Sequence, residues 1–224
     1  MKTFRYSVLL GSLLLINLQN SFGQSKFSVS VNLAPVYTHT DFSLPVPLPN
    51  SPVVLTEYAG RAYGLHYSVG LMGWYHFSSK WSASAGIWAT HQAIGKTNIT
   101  YNGVASSTTY QYNHPFNNYY KVPVQINYQP AQKKLSPYFS AGVSFDLRGT
   151  SYVDLFGDGT YTAVKFGKPV VVTPLVGVGL IYQLTNRLSL LTQPTFQYDL
   201  QARPANNYYH AYQVSLQTQL IWHL

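Results

Sequence analysis

The chain has 224 residues, of which only 9% are charged and 16% aromatic, 20 of them tyrosines; ordinary soluble domains carry roughly 25% charged residues. Fourteen lysines and arginines against six acids give a net charge of +8, but with no basic run, which excludes a nucleic-acid surface. There is no cysteine, so neither a disulfide nor a lipidated thiol holds the protein in place.

The first residues read as a secretory signal. Lys2 and Arg5 form a basic start, Val8 to Leu18 an apolar stretch too short to span a bilayer comfortably, and Asn20, Ser21, Phe22 and Gly23 precede an expected cut before Gln24. Cleavage after residue 23 removes Lys2 and Arg5 and lowers the net charge from +8 to +6. Residues 24–224 then form one domain. No later apolar run reaches about 18 residues, so a membrane helix is not expected.

From Gln24 onward the dominant signal is alternation with period two, the mark of strands whose faces meet different surroundings. Phe27, Val29, Val31 and Leu33 alternate with Ser28, Ser30 and Asn32. Tyr63, Leu65, Tyr67, Val69 and Leu71 alternate with Gly64, His66, Ser68 and Gly70. Trp81, Ala83, Ala85, Ile87 and Ala89 follow. Tyr120, Val122, Val124, Ile126 and Tyr128 alternate with Lys121, Pro123, Gln125 and Asn127, and Phe139, Ala141, Val143, Phe145 and Leu147 with Ser140, Gly142, Ser144, Asp146 and Arg148. Val176, Val178, Leu180 and Tyr182 face away from Gly177 and Gly179. Leu188, Leu190, Phe196, Tyr198 and Leu200 face away from Ser189, Gln193, Thr195, Gln197 and Asp199. Finally Tyr212, Val214, Leu216, Leu220, Trp222 and Leu224 oppose Gln213, Ser215, Gln217, Gln219 and His223.

These are eight strands. Three connections are short, at 78–80, 130–136 and 184–187, and four are long, at 39–61, 97–118, 149–169 and 201–209. Short and long alternate along the chain, as in a barrel with short periplasmic turns and long extracellular loops. The expected fold is an all-β, eight-stranded, antiparallel up-and-down transmembrane barrel, its apolar face to lipid and its glutamines to the lumen. Pro123, Pro174 and Pro194 fall inside strands and predict bulges or kinks.

Tyr119 to Tyr128, with Val122, Pro123 and Tyr128 in place, resembles the "Y-x-x-I-P-x-x-x-x-Y" strand of the outer-membrane β-barrel domain common in Bacteroidota, the PorT-like group. Pro137 to Gly142 resembles that group's next strand, and Gly177 to Leu190 its penultimate hairpin. The resemblance implies an outer-membrane location and an eight-stranded barrel, and no reaction.

Lys121, Asp146, Arg148 and Asp199 are expected to point inward as a lumenal charged cluster. An eight-stranded barrel is just wide enough for side chains to fill it, so cross-lumen pairing is favoured over an open pore. Tyr63, Trp74, Tyr75, Trp81, Tyr120, Tyr182, Tyr198 and Trp222 are expected in interfacial girdles. The seven histidines show no zinc-type spacing, and no Gly-x-Ser-x-Gly elbow is present. Gly157, Asp158 and Gly159 read as a tight turn rather than a calcium loop. No catalytic residue, cofactor or metal is assigned.

The expected role is that of a non-enzymatic outer-membrane barrel, structural or acting through its loops, with a filled lumen. Its partners would be outer-membrane lipid, lipopolysaccharide included, and an extracellular or periplasmic protein. The alternatives are an outer-leaflet lipid-modifying enzyme and an accessory to protein secretion. The Tyr-, Asn-, Ser- and Thr-rich 98–118 segment resembles a recognition surface.

Overall fold

A computed structural model describes residues 26–47, 55–101, 104–111, 118–147, 150–154, 161–165, 170–200 and 208–224. The expected signal, Arg148 and the turn at 157–159 lie outside these residues. The described chain forms eleven strands: β1 Phe27–Pro47, β2 Leu55–His76, β3 Trp81–Tyr101, β4 Val104–Gln111, β5 Asn118–Tyr128, β6 Leu135–Leu147, β7 Thr150–Asp154, β8 Tyr161–Lys165, β9 Val170–Thr185, β10 Leu188–Tyr198 and β11 Tyr208–His223.

Eight of them close a ring. The strands β1, β2, β3, β5, β6, β9, β10 and β11 each pair antiparallel with two neighbours, and β11 returns to β1. The other three belong to the connections: β4 pairs back on the outer end of β3, and β7 pairs with β8. The expected strand count therefore holds for the wall, but much of each long connection is strand. Segment 39–61 is largely the continuation of β1 and β2, paired from His39 with Tyr63 out to Pro47 with Leu55. Segment 97–118 holds the β3–β4 hairpin.

The stagger can be followed pair by pair. Leu180 leads to Thr192, Thr218, Leu33, Val69, Ala89, Tyr120, Leu147 and back to β9 at Val170, ten residues from the start. With eight strands this corresponds to a tilt of about 40° and a backbone radius of ~8 Å.

The prolines produce no bulge. Pro123 pairs with Ser144 in an unbroken β5–β6 register, and only the β3–β5 ladder skips two pairs, between Ala85–Val124 and Trp88–Lys121. Pro194 pairs with Leu216 and interrupts only β9–β10, while Pro174 pairs with Val143. Pro35 likewise pairs with Tyr67 and interrupts only β1–β11. In an antiparallel ladder the N–H and C=O of one residue face the same neighbour, so a proline forfeits bonds on one side alone. The two register shifts fall elsewhere, at Leu65/His66 and Leu188/Ser189.

The core lies inside the ring. An apolar cluster of Met72, Trp74, Trp88, Tyr138, Ile181, Leu191 and Ile221 packs in the lumen, from the short-turn end up to Trp88, the ladder partner of Lys121. Gly70 makes room for it: a Cβ there would come within 2.1 Å of Trp88 Cδ1 and 2.6 Å of the Ile87 carbonyl oxygen. At Gly73, on the outer face, the nearest such atom is 4.0 Å away. Gly70→Ala should therefore destabilise the folded barrel by about 1–3 kcal/mol through overpacking, and Gly73→Ala should be near neutral. Urea midpoints followed by heat-modifiable gel migration check this; equal midpoints for the two variants would contradict the packing described.

Candidate functional site in the lumen and at the rims

Alternation places the lumenal groups. Among the inward residues of β5 is Lys121, fully buried, directly opposite Asp146 of β6 in the ladder. Its Nζ lies 3.5 Å from Asp146 Oδ2 and donates to Gln213 Oε1 at 2.7 Å and to Gln197 Oε1 at 3.2 Å. The ammonium thus reaches across the lumen to β10 and β11. Ser144 Oγ donates to Asp146 Oδ1 at 2.6 Å. A buried charge is tolerable when its partner and remaining hydrogen bonds are supplied in this way. Asp199 is buried as well, its backbone N–H donating to the Ala211 carbonyl at 2.9 Å. Of the residues expected in a charged cluster, Lys121, Asp146 and Asp199 are buried, and Lys121 and Asp146 are in contact.

Below the charged pair lies a layer of amides. Gln193 Nε2 donates to Gln217 Oε1, Gln219 Nε2 to the same oxygen, and Ser140 Oγ to Gln193 Oε1. At the short-turn end a chain of side chains closes the floor. Ser28 Oγ sits 3.0 Å from His76 Nε2 and 2.9 Å from His223 Nδ1, and His223 Nε2 sits 2.9 Å from Ser189 Oγ. Among the described residues no group of three or more His, Asp or Glu side chains converges to hold a metal.

The outer face is apolar. Phe27, Val29, Val31 and Leu33 on β1, Val69 and Leu71 on β2, Val176, Val178 and Leu180 on β9, and Val214, Leu216 and Leu220 on β11 all stand exposed. From Phe27 to Tyr37 this band rises ~25 Å along the barrel axis, the height of a lipid-facing belt. So large an apolar exterior is incompatible with water. A closed antiparallel barrel with this exterior is a membrane wall of the outer-membrane type.

The outward placement that the girdle expectation requires is seen at Tyr75, Trp81, Tyr120, Tyr182 and Trp222, which stand exposed, and Tyr63 and Tyr198 are half-exposed. It fails at Trp74. That side chain is 3% exposed and faces inward, its Nε1 donating to Ser30 Oγ at 2.9 Å. Parity is the reason: Leu71, Gly73 and Tyr75 take the outer face, so Trp74 follows Met72 to the inner one.

The rims also hold contacts that alternation alone does not announce. Near the long-loop end, histidines couple to tyrosines: His39 stacks on Tyr212 at 4.8 Å, His91 lies 5.0 Å from Tyr67, and Tyr198 Oη is 2.7 Å from His210 Nδ1. Asp41 joins His39 at 2.8 Å and Arg61 at 3.1 Å. At the other end Phe27 packs on Tyr75 and Trp81 on Tyr128.

A scan of protein-family models finds no match, and no curated protein matches. Solved structures align over most of the chain. The outer membrane protein OprG from Pseudomonas aeruginosa is 12% identical, covering 90% of this chain and 99% of its own, at a TM-score of 0.47. Neisserial surface protein A is 14% identical, with 90% and 99% covered and a TM-score of 0.44. The outer membrane protein AlkL, solved in lipid bilayers, is 14% identical, with 92% and 94% covered and a TM-score of 0.42. These likenesses are loose, and the barrel assignment rests on the ring of pairings and on the wall.

Asp146→Ala leaves the buried ammonium without its counter-charge and should cost about 3–5 kcal/mol, whereas the double variant Lys121→Met, Asp146→Leu should recover most of that loss. Equilibrium refolding in urea measures both. In single-tryptophan variants, brominated lipid should quench Trp81 and Trp222 and spare Trp74 and Trp88. Quenching of Trp74 would overturn its inward placement.

Proposed function

We propose that the protein is a non-enzymatic integral outer-membrane barrel whose filled wall holds its outer hairpins for a structural role or for recognition. Its surroundings are outer-membrane lipid, lipopolysaccharide included, and its partner would be an extracellular protein met by the outer hairpins or a periplasmic one met by the short turns. The observation that carries this reading is the packing of the lumen. Trp88, Lys121, Gln125, Gln193, Gln217 and Gln219, from four strands around the ring, are each 2% exposed or less. A lumen filled by packed side chains favours a scaffold over a conduit. Outside it, β1 and β2 stay paired out to Pro47, and β4 extends β3, with Ser107 Oγ donating to Asn98 Oδ1 at 2.7 Å. Hairpins paired in this way present side chains with little ordering cost on binding.

The refolded protein in planar bilayers should show no steady conductance; a stable ion current would sink the filled-lumen reading. Replacing residues 98–107 by a two-residue turn should leave the heat-modifiable barrel intact and remove binding of protein-displaying cells to extracellular proteins. Deleting the gene should leave the set of exported proteins unchanged, and loss of a class of them would favour the secretion alternative.

A further inference from the structure

The four strands of the wall that rise from the short-turn end share one feature. Each is immediately preceded by a basic residue: Lys26 before β1, Lys80 before β3, Lys134 before β6 and Arg187 before β10. The four occupy equivalent places in the ladder. The carbonyl of each accepts the closing bond from the neighbouring strand: Lys26 from His76, Lys80 from Gln129, Lys134 from Gln183 and Arg187 from His223, at 2.7–2.8 Å. Their backbones are therefore pinned at one level around the ring, and all four side chains are exposed. Lys133 adds a fifth charge in the same connection. None of the six acids of the sequence falls in the short connections or beside them. The side-chain charge at this rim is thus of one sign.

The next residue in each case is apolar: Phe27, Trp81, Leu135 and Leu188. Phe27, Trp81 and Leu135 stand exposed on the lipid-facing wall, beside Tyr75, Tyr182 and Trp222. The cations therefore sit one residue beyond the edge of the apolar belt, at the depth of lipid headgroups. Lys134 shows the side-chain direction, since its Nζ lies 5.7 Å from the ring centroid of lipid-facing Tyr182. Long basic side chains keep their stems on apolar surface and carry the charge to the interface.

We infer that this fourfold basic collar binds the headgroups of anionic phospholipids in the leaflet around the short turns. The inference rests on the membrane-barrel reading above and goes beyond it by naming a lipid charge and the residues that select it. A ring of like charges at the headgroup level attracts an anionic surface and falls off with salt. The opposite rim lacks this uniformity, since Arg61 there is paired with Asp41.

The test uses the mature chain refolded in detergent and examined by native mass spectrometry, with phosphatidylglycerol and phosphatidylcholine added together. Phosphatidylglycerol should be retained over phosphatidylcholine by about tenfold, and the preference should shrink as salt is raised. The fourfold variant Lys26→Gln, Lys80→Gln, Lys134→Gln, Arg187→Gln should lose the preference. Arg61→Gln with Lys96→Gln, at the other rim, should keep it. An unchanged preference in the fourfold variant, or none in the wild type, overturns the collar. So does displacement of phosphatidylglycerol by inorganic phosphate or polyphosphate, which would assign the ring to a soluble polyanion. Heat-modifiable migration is read in parallel. A wild type that never forms a heat-modifiable barrel sinks the membrane reading, whereas a folded barrel indifferent to lipid charge sinks only the collar. Should the fourfold variant fail to fold, the salt dependence of the wild type and the four single variants decide.

Discussion

Everything in this structure depends on closing the ladder. A strand in lipid has no water for its amides, so each backbone group of the wall must be met by a neighbouring strand. Return of the register to β9 after one circuit meets that demand, and the ten-residue displacement sets both tilt and width. A cylinder of that width leaves room inside for side chains and little else. The polar lumen and the apolar exterior are thus two consequences of one closure.

Inside, the problem is to satisfy polar groups away from solvent. The solution is stratified: a hydroxyl and imidazole floor of Ser28, His76, Ser189 and His223, an apolar layer around Trp74 and Leu191, amides at Gln193, Gln217 and Gln219, then Lys121 with Asp146. Strands β5, β10 and β11 are tied across the lumen by Lys121, and β10 and β11 by their glutamines. Such ties add to rigidity because a half-broken polar network in a low-dielectric interior is costly.

Much of this was legible in the sequence because the two faces of the wall meet such different media. Val214 and Leu216 against Ser215 and Gln217 read directly as outside and inside. The inward placement of Lys121 and Asp146 follows from the same parity. Trp74 departs from its expected place because an aromatic suits either an interface or an apolar layer of the lumen, and only its parity with Met72 sets it inward. The continuation of β1 and β2 past His39 was hidden for another reason: away from lipid, both faces of a hairpin meet similar surroundings, and alternation fades. Cross-lumen partners such as Lys121 and Gln213, 92 positions apart, depend on the stagger, which no local pattern encodes.

The interruptions at Pro35, Pro123 and Pro194 fall on three different seams, β1–β11, β3–β5 and β9–β10. Between those seams the ladders run without a missing step except at the shift by Leu65, joining β1, β2 and β3, then β5, β6 and β9, then β10 and β11. The wall is in this sense three stiff staves rather than eight equal strands. The backbone bonds that the prolines forfeit are thus spread over three separate lines of the wall rather than gathered on one.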